Sequence, residues 1–376
     1  MNLTFANKNP FSIFDFLGYF FPGALFVSMF YILTVGDMNS YIEKLPAYSS
    51  FKSIVDVYTG IGIFIFVLFS YVIGHMIAYI SSITVELFYT WYYGYPTNYL
   101  LKKENKAESH DKKGGENKQC LLNSKLGFCG MLGHLIICLL LFPILVGHLI
   151  IERLFNLKLF IGRSLDAKLI DSISVKVKRV GESIGYNDAS TLDADMHRVV
   201  MHYVYENCQM HQVKFDNYVA LYGFLRSVSF IFCMSFQFTL FYVLFNSKIF
   251  DSVCCCTLLY GFPICIIIIV SLCFGASLHK ECRATMLRCA EKVLFISVCF
   301  IIVVTFAGIK SKCINEIHIV LLLNLFIATY ITYLGFAKFY RRFTLENYMA
   351  LLICKETNSK KMFAEMIHKF YTKLRK

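Results

Sequence analysis

Charge is scarce in this chain and missing from long parts of it. Asp, Glu, Lys and Arg make up 16% of the 376 residues and hydrophobic side chains 57%, whereas a soluble domain carries about 25% charge. Residues 57–93 contain no Lys, Arg or Asp, and Glu86 is their only carboxylate. Several apolar runs reach 18 or more residues, which a soluble core does not require and a bilayer does. The mean hydropathy is +0.57. Motifs are missing too. There is no P-loop, HExxH, GxSxG or GxGxxG, and no CxxC pair of a zinc ribbon or thioredoxin-like site. A single Lys precedes a first apolar stretch too long for a signal-peptide core, so we read that stretch as a retained spanning helix.

What is present in quantity is cysteine and positive charge. Most of the 15 cysteines sit in or beside apolar runs, among them Cys138, Cys233, Cys254, Cys255, Cys256, Cys265, Cys273 and Cys299, where Cys acts as a small hydrophobe. The net charge of +12 is the usual balance of a membrane protein whose Lys and Arg collect on the cytoplasmic side. We expect no specific nucleic acid partner.

The organising stretch is 57–93. As one helix it is about 55 Å long, against ~30 Å of hydrocarbon, so it spans and continues into water. Ser70, Gly74, Ala78 and Ser82 recur at every fourth position, and small residues so spaced let helices approach closely. We expect this stripe to serve self-association.

Around it the chain divides into 1–101, an N-terminal membrane part with spans at about 16–35 and 57–80 and helix to 93; 102–126, a flexible polar linker; 127–150, an apolar segment with Pro143 and a repeated Gly-His-Leu-Ile-Ile; 151–217, a polar helical unit; 218–337, with spans at about 227–246, 253–274, 292–309 and 316–336; and 338–376, a basic amphipathic tail. Pro22 should kink the first span. The polar unit should pack on the helix extension at 82–93 and on the tail. Lys and Arg number seven in 94–126, nine in 152–217, four in 276–292 and ten in 338–376, against two in 36–56, one in 247–252 and two in 310–315. All rich segments fall on one side only if 127–150 is re-entrant or interfacial. The expected fold is therefore all-α: a polytopic helical membrane protein with about six transmembrane helices, both termini cytoplasmic, plus a small helical cytoplasmic unit.

Candidate chemistry is sparse. Gln237 and Asn324 are the strongest polar residues at mid-membrane, and a passive channel would string its path through them. No Asp, Glu, Lys or Arg sits at mid-depth, which weakens a coupled transporter. Arg226 reads as a boundary anchor that snorkels. Asp193, Asp195, His197, His202, Glu206, Cys208 and His211 crowd one segment; on a helix Asp195, His202 and Glu206 share a face and Asp193 pairs with His197, but His197 and His202 diverge by roughly 140°. Asp193-Ala194-Asp195 matches the short Asp-x-Asp pattern of glycosyltransferases, and a membrane enzyme acting on lipid or sugar would place its site here. His75, His134 and His148 each follow a Gly and would together suit a haem or proton path; helix-end placement is the simpler reading. The last helix, with Phe363, Met366, Ile367, Phe370, Tyr371 and Leu374 on one face, fits an anionic lipid surface or the 152–217 unit. We expect no catalytic, cofactor-binding or metal-binding residues.

Phe14-Asp15-Phe16-Leu17-Gly18-Tyr19 with Pro22-Gly23, Tyr222-Gly223-Phe224-Leu225-Arg226-Ser227, and Lys338-Phe339-Tyr340-Arg341-Arg342-Phe343 resemble features of uncharacterised bacterial multipass inner-membrane proteins. Some of those are encoded near anti-phage defence genes, so the resemblance implies a membrane effector or scaffold. From the apolar runs, the small-residue stripe and the basic helices we expect a lipid bilayer as surroundings, a homo-oligomer, and a cytoplasmic protein partner.

Overall fold

The computed structural model describes residues 15–42, 59–101, 133, 136–155, 163–184, 194–246 and 316–353. The expected spans at 253–274 and 292–309, the 102–126 linker and the amphipathic helix near the C-terminus lie outside the described residues, as do His134 and Asp193. No strand occurs among the described residues.

We number the α-helices α1 Phe21–Ile42, α2 Thr59–Ser81, α3 Leu87–Tyr93, α4 Pro96–Leu100, α5 Phe142–Phe155, α6 Ala167–Ser183, α7 Ala194–Asn207, α8 Gln212–Asn246 and α9 Glu316–Ile353. A π-turn, Phe16–Phe20, leads into α1, and a second, Ser82–Glu86, joins α2 to α3. Among the described residues three stretches are long and apolar enough to cross a membrane: Gly62–Leu100, Gln212–Val243 and Ile319–Ile353, of 39, 32 and 35 residues. Phe16–Tyr31 is a shorter apolar helix. At ~1.5 Å per residue each long stretch exceeds the ~30 Å hydrocarbon layer.

The chain forms two units, one made of 1–92, 116–158 and 220–337, the other of 93–115, 159–219 and 338–376. In the first, α1 packs on α2. The helices run antiparallel, with Gly23 against Ser70 and Gly74 against Tyr19: a Cβ at Gly23 would lie 1.7 Å from the Ser70 carbonyl oxygen, and one at Gly74 1.8 Å from that of Tyr19. Only glycine permits this approach of two backbones. Pro22 has no N–H for the Gly18 carbonyl, and the turn before it is wide, with the Phe21 N–H bonded to the Phe16 carbonyl.

Also in the first unit, α8 and α9 lie antiparallel. Phe236 meets Phe326, Ser229 donates to the Thr329 carbonyl at 3.2 Å, and Leu225 covers Gly335. Phe88 and Tyr89 of α3 are fully buried against Tyr333 and Phe336 of α9.

The second unit begins where Gly94, at φ +78°, turns the chain into α4. The amphipathic α6 buries Ile170, Ile173, Val177 and Val180, and α7 buries Met196, Val200 and Val204. The two helices pack together. Phe215 from the start of α8 meets Phe343 of α9, and Tyr348, Ala350 and Leu351 complete the core. The Leu165 N–H donates to the Leu100 carbonyl at 3.0 Å, and Arg341 to the Arg163 carbonyl at 3.1 Å. The polar unit thus packs with the end of α9 itself, which runs unbroken from Glu316 to Ile353; residues 82–92 belong to the first unit.

Candidate functional site

Among the described residues of the first unit a polar cluster forms where α2 meets α8. The Ser82–Glu86 π-turn has its neighbouring hydroxyls bonded back to the helix: Ser81, Ser82 and Thr84 donate to the carbonyls of Ala78, Tyr79 and Ile80 at 3.0, 2.7 and 2.7 Å. Glu86 closes the turn and pairs with Arg226 of α8. The same guanidinium donates to the Ala78 carbonyl at 3.3 Å, and Ser81 and Ser227 hydroxyls lie 3.4 Å apart beside it. Tyr222, one turn before Arg226, is close enough to feel both charges.

This corrects the reading of Arg226 as a snorkelling anchor. Its side chain is 14% exposed and its Nε is buried without a hydrogen-bond partner among the described residues. A charge removed from water needs an opposite charge, and Glu86 supplies it. The phase of the helix explains the meeting. In a regular helix Glu86 would lie about 140° from Ser81; the extra residue of the π-turn brings that to about 40°. Wide turns of this kind gather at functional sites, and ionisable side chains within spanning segments do the same.

Gln237 has a different task. Its Nε2 donates to the carbonyls of Leu139 and Leu140 at 2.9 and 2.6 Å, and the Cys233 thiol also reaches the Leu140 carbonyl, at 3.2 Å. Helical bonding continues on both sides of Leu141, with the Leu141 N–H on the Ile137 carbonyl at 2.9 Å and the Leu145 N–H on the Leu141 carbonyl at 3.0 Å, and α5 begins at Phe142. Pro143 has no N–H to give the Leu139 carbonyl, so Gln237 gives one from the neighbouring helix. Asn324 is exposed on α9.

The histidines are dispersed. His75 stacks on Tyr19 with ring centroids 3.9 Å apart and stands edge-on to Tyr71. His148 is buried and meets Tyr92 edge-on at 4.7 Å. His75 and Tyr92, the ring that His148 meets, are separated by roughly 25 Å along the α2–α3 rod at ~1.5 Å per residue. His75 and His148 therefore do not share one haem or proton path.

The small-residue stripe is used inside the chain. Ser70 and Gly74 are covered by α1, Ala78 gives its carbonyl to Arg226, and Ser82 bonds back to Tyr79. Ser70 and Gly74, expected to serve self-association, are taken up by a helix of the same chain.

In the crowded 193–211 segment the described side chains are dispersed. His202 and Glu206 are exposed, Cys208 is buried with its thiol 3.7 Å from the Ala350 carbonyl, and His211 lies on Phe215. Among the described residues no group of three or more His, Cys, Asp or Glu is placed to hold a metal ion. His197 turns into the core of the second unit, 3.2 Å from the Tyr348 hydroxyl. On the helical wheel it is only about 20° from buried Val204, a signal that the pairing with Asp193 obscured.

Burial lowers the His197 pKa to about 4 from 6.5. Above pH 6.5 the group is neutral in both folded and unfolded chains and stability is full. As pH falls from 6.5 towards 4 the unfolded chain takes up a proton that the folded unit refuses, and stability drops by up to roughly 3 kcal/mol. Melting of the detergent-solubilised protein should fall between pH 7 and 4.5, and His197→Gln should flatten that slope. An unchanged slope in the variant would remove His197 as its source.

These features define a multi-span helical membrane protein whose polar side chains within the described spans close backbone gaps and join helices. No protein-family model, curated protein or solved structure matches the chain.

Proposed function

We propose that the chain is a non-enzymatic inner-membrane protein that receives a cytoplasmic protein partner or signal on its polar helical unit, self-associates, and permeabilises the membrane as an anti-phage defence effector. The arrangement is six spans with both termini cytoplasmic and the 127–150 segment re-entrant or interfacial. The carrying observation is the continuity of α8 and α9: each is one unbroken helix that contributes residues to the polar unit and to the apolar one. A partner bound to the polar unit therefore acts on the same rods that form the membrane part. The sorting of Lys and Arg supports the orientation, and the resemblance noted above supports the defence role. The assignment of Gln237 to the Leu139 and Leu140 carbonyls weighs against a passive channel through that amide.

One expression experiment tests both halves. A periplasmic reporter fused after residue 215 should stay inactive, and a potential-sensitive dye should report depolarisation on induction with a phage trigger. Reporter activity after 215 overturns the six-span arrangement. Cells that never depolarise, with or without phage, overturn the pore-forming role.

A further inference from the structure

The Ser82–Glu86 π-turn holds one residue more than an α-helical turn needs. If that turn closed to α geometry, everything beyond it would rotate by about 100° relative to α2. Beyond it lie Phe88, Tyr89 and Tyr92, whose rings rest on Tyr333, Phe336 and His148. What opposes closure on the α2 side is Glu86: in the wide turn it faces Arg226, and in the closed turn it would face away. Two independent groups of contacts thus depend on the same surplus residue.

We propose that the π-turn and the Glu86–Arg226 pair form a two-state rotary latch. With the pair made, the turn is wide and α3 presents Phe88 and Tyr89 to α9. With the pair broken, the turn relaxes to α-helix and α3 rotates away from Tyr333 and Phe336. This latch stands whether or not the protein opens membranes, since it concerns the described helices of the first unit alone.

The test is a photo-crosslinking benzophenone residue placed at Tyr89 in the full chain in membranes, with the yield of crosslinks to α9 measured by mass spectrometry. In the parent background the crosslink should map near Phe336. Glu86→Gln should lower that yield roughly tenfold, the population left to the wide turn when the variant favours the closed turn by about 1.4 kcal/mol. Deleting Ile83, exposed within the wide turn, removes the surplus residue while keeping the helical phase of Glu86 and Tyr89. The deletion combined with Glu86→Gln should therefore restore the crosslink, because no surplus residue is left to absorb a rotation. If Glu86→Gln fails to accumulate, the deletion double variant should accumulate and crosslink. Full crosslinking in Glu86→Gln alone overturns the latch, and so does loss of the crosslink, or of the protein, in the deletion double variant.

Discussion

Gly74→Val should cost the protein more than about 3 kcal/mol, the upper end for an overpacked core, and the folded species should disappear from detergent extracts on gentle heating. The reason is geometric. A Cβ at Gly74 meets the Tyr19 carbonyl oxygen at 1.8 Å, and the obstacle is backbone, so no side chain can swing aside. The two helices must separate along their length, which loosens the Gly23–Ser70 contact one turn away and the Tyr19–His75 stack with it. Val also adds branching at a position with no spare volume. Gly60→Ala is the control: the same helix, with nothing within 4 Å of the new Cβ. Size-exclusion thermostability of both variants decides the matter. Equal melting of the two would mean that α1 and α2 do not approach as closely as Gly23 and Gly74 allow.

The stripe at Ser70 and Gly74 was legible in the sequence as a place of close helix approach, because residue size and spacing of four are local properties. Its partner was not. A small-residue stripe fits a second copy or another helix of its own chain equally well, and only the antiparallel pairing of Gly23 with Ser70 settles the choice for those two positions. The helical character and the membrane location were legible for a similar reason, since long uncharged runs state them directly. The Glu86–Arg226 pair was hidden by a change of helical phase. Any wheel drawn at 100° per residue sends Glu86 away from Ser81, and nothing in Ser82-Ile83-Thr84-Val85-Glu86 announces that five residues will make a π-turn. His197 was misplaced for a simpler reason: a charged neighbour at i−4 drew it outward on paper, while its wheel position beside Val204 drew it inward in the fold. Where a polar side chain serves a distant backbone, the signal is split between two segments, and each half is mute alone.

Gln237 and Pro143 are such a pair, and they yield the second large effect. Gln237→Leu should leave the Leu139 carbonyl, and part of the demand at Leu140, without the donor that Gln237 supplies. Each unsatisfied group costs about 1–3 kcal/mol, and more where lipid is the only alternative, so the variant should lose at least ~2 kcal/mol. The Cys233 thiol still reaches Leu140, but it is a weak donor and does not reach Leu139. Pro143→Ala is the informative second change. It gives residue 143 an N–H that can bond the Leu139 carbonyl within its own helix, so the loss caused by Gln237→Leu should shrink in the double variant. The coupling between the two positions should be of the order of 0.5–3 kcal/mol, read from detergent-resistance or melting of all four proteins. A third outcome bears on function. If Gln237 lined a solute path, Gln237→Leu would block transport without destabilising the protein, and Pro143→Ala would not compensate. Because the amide is engaged with two carbonyls at hydrogen-bond distance, stability should carry the whole effect, and the rescue by Pro143→Ala is what separates a backbone cap from a channel lining.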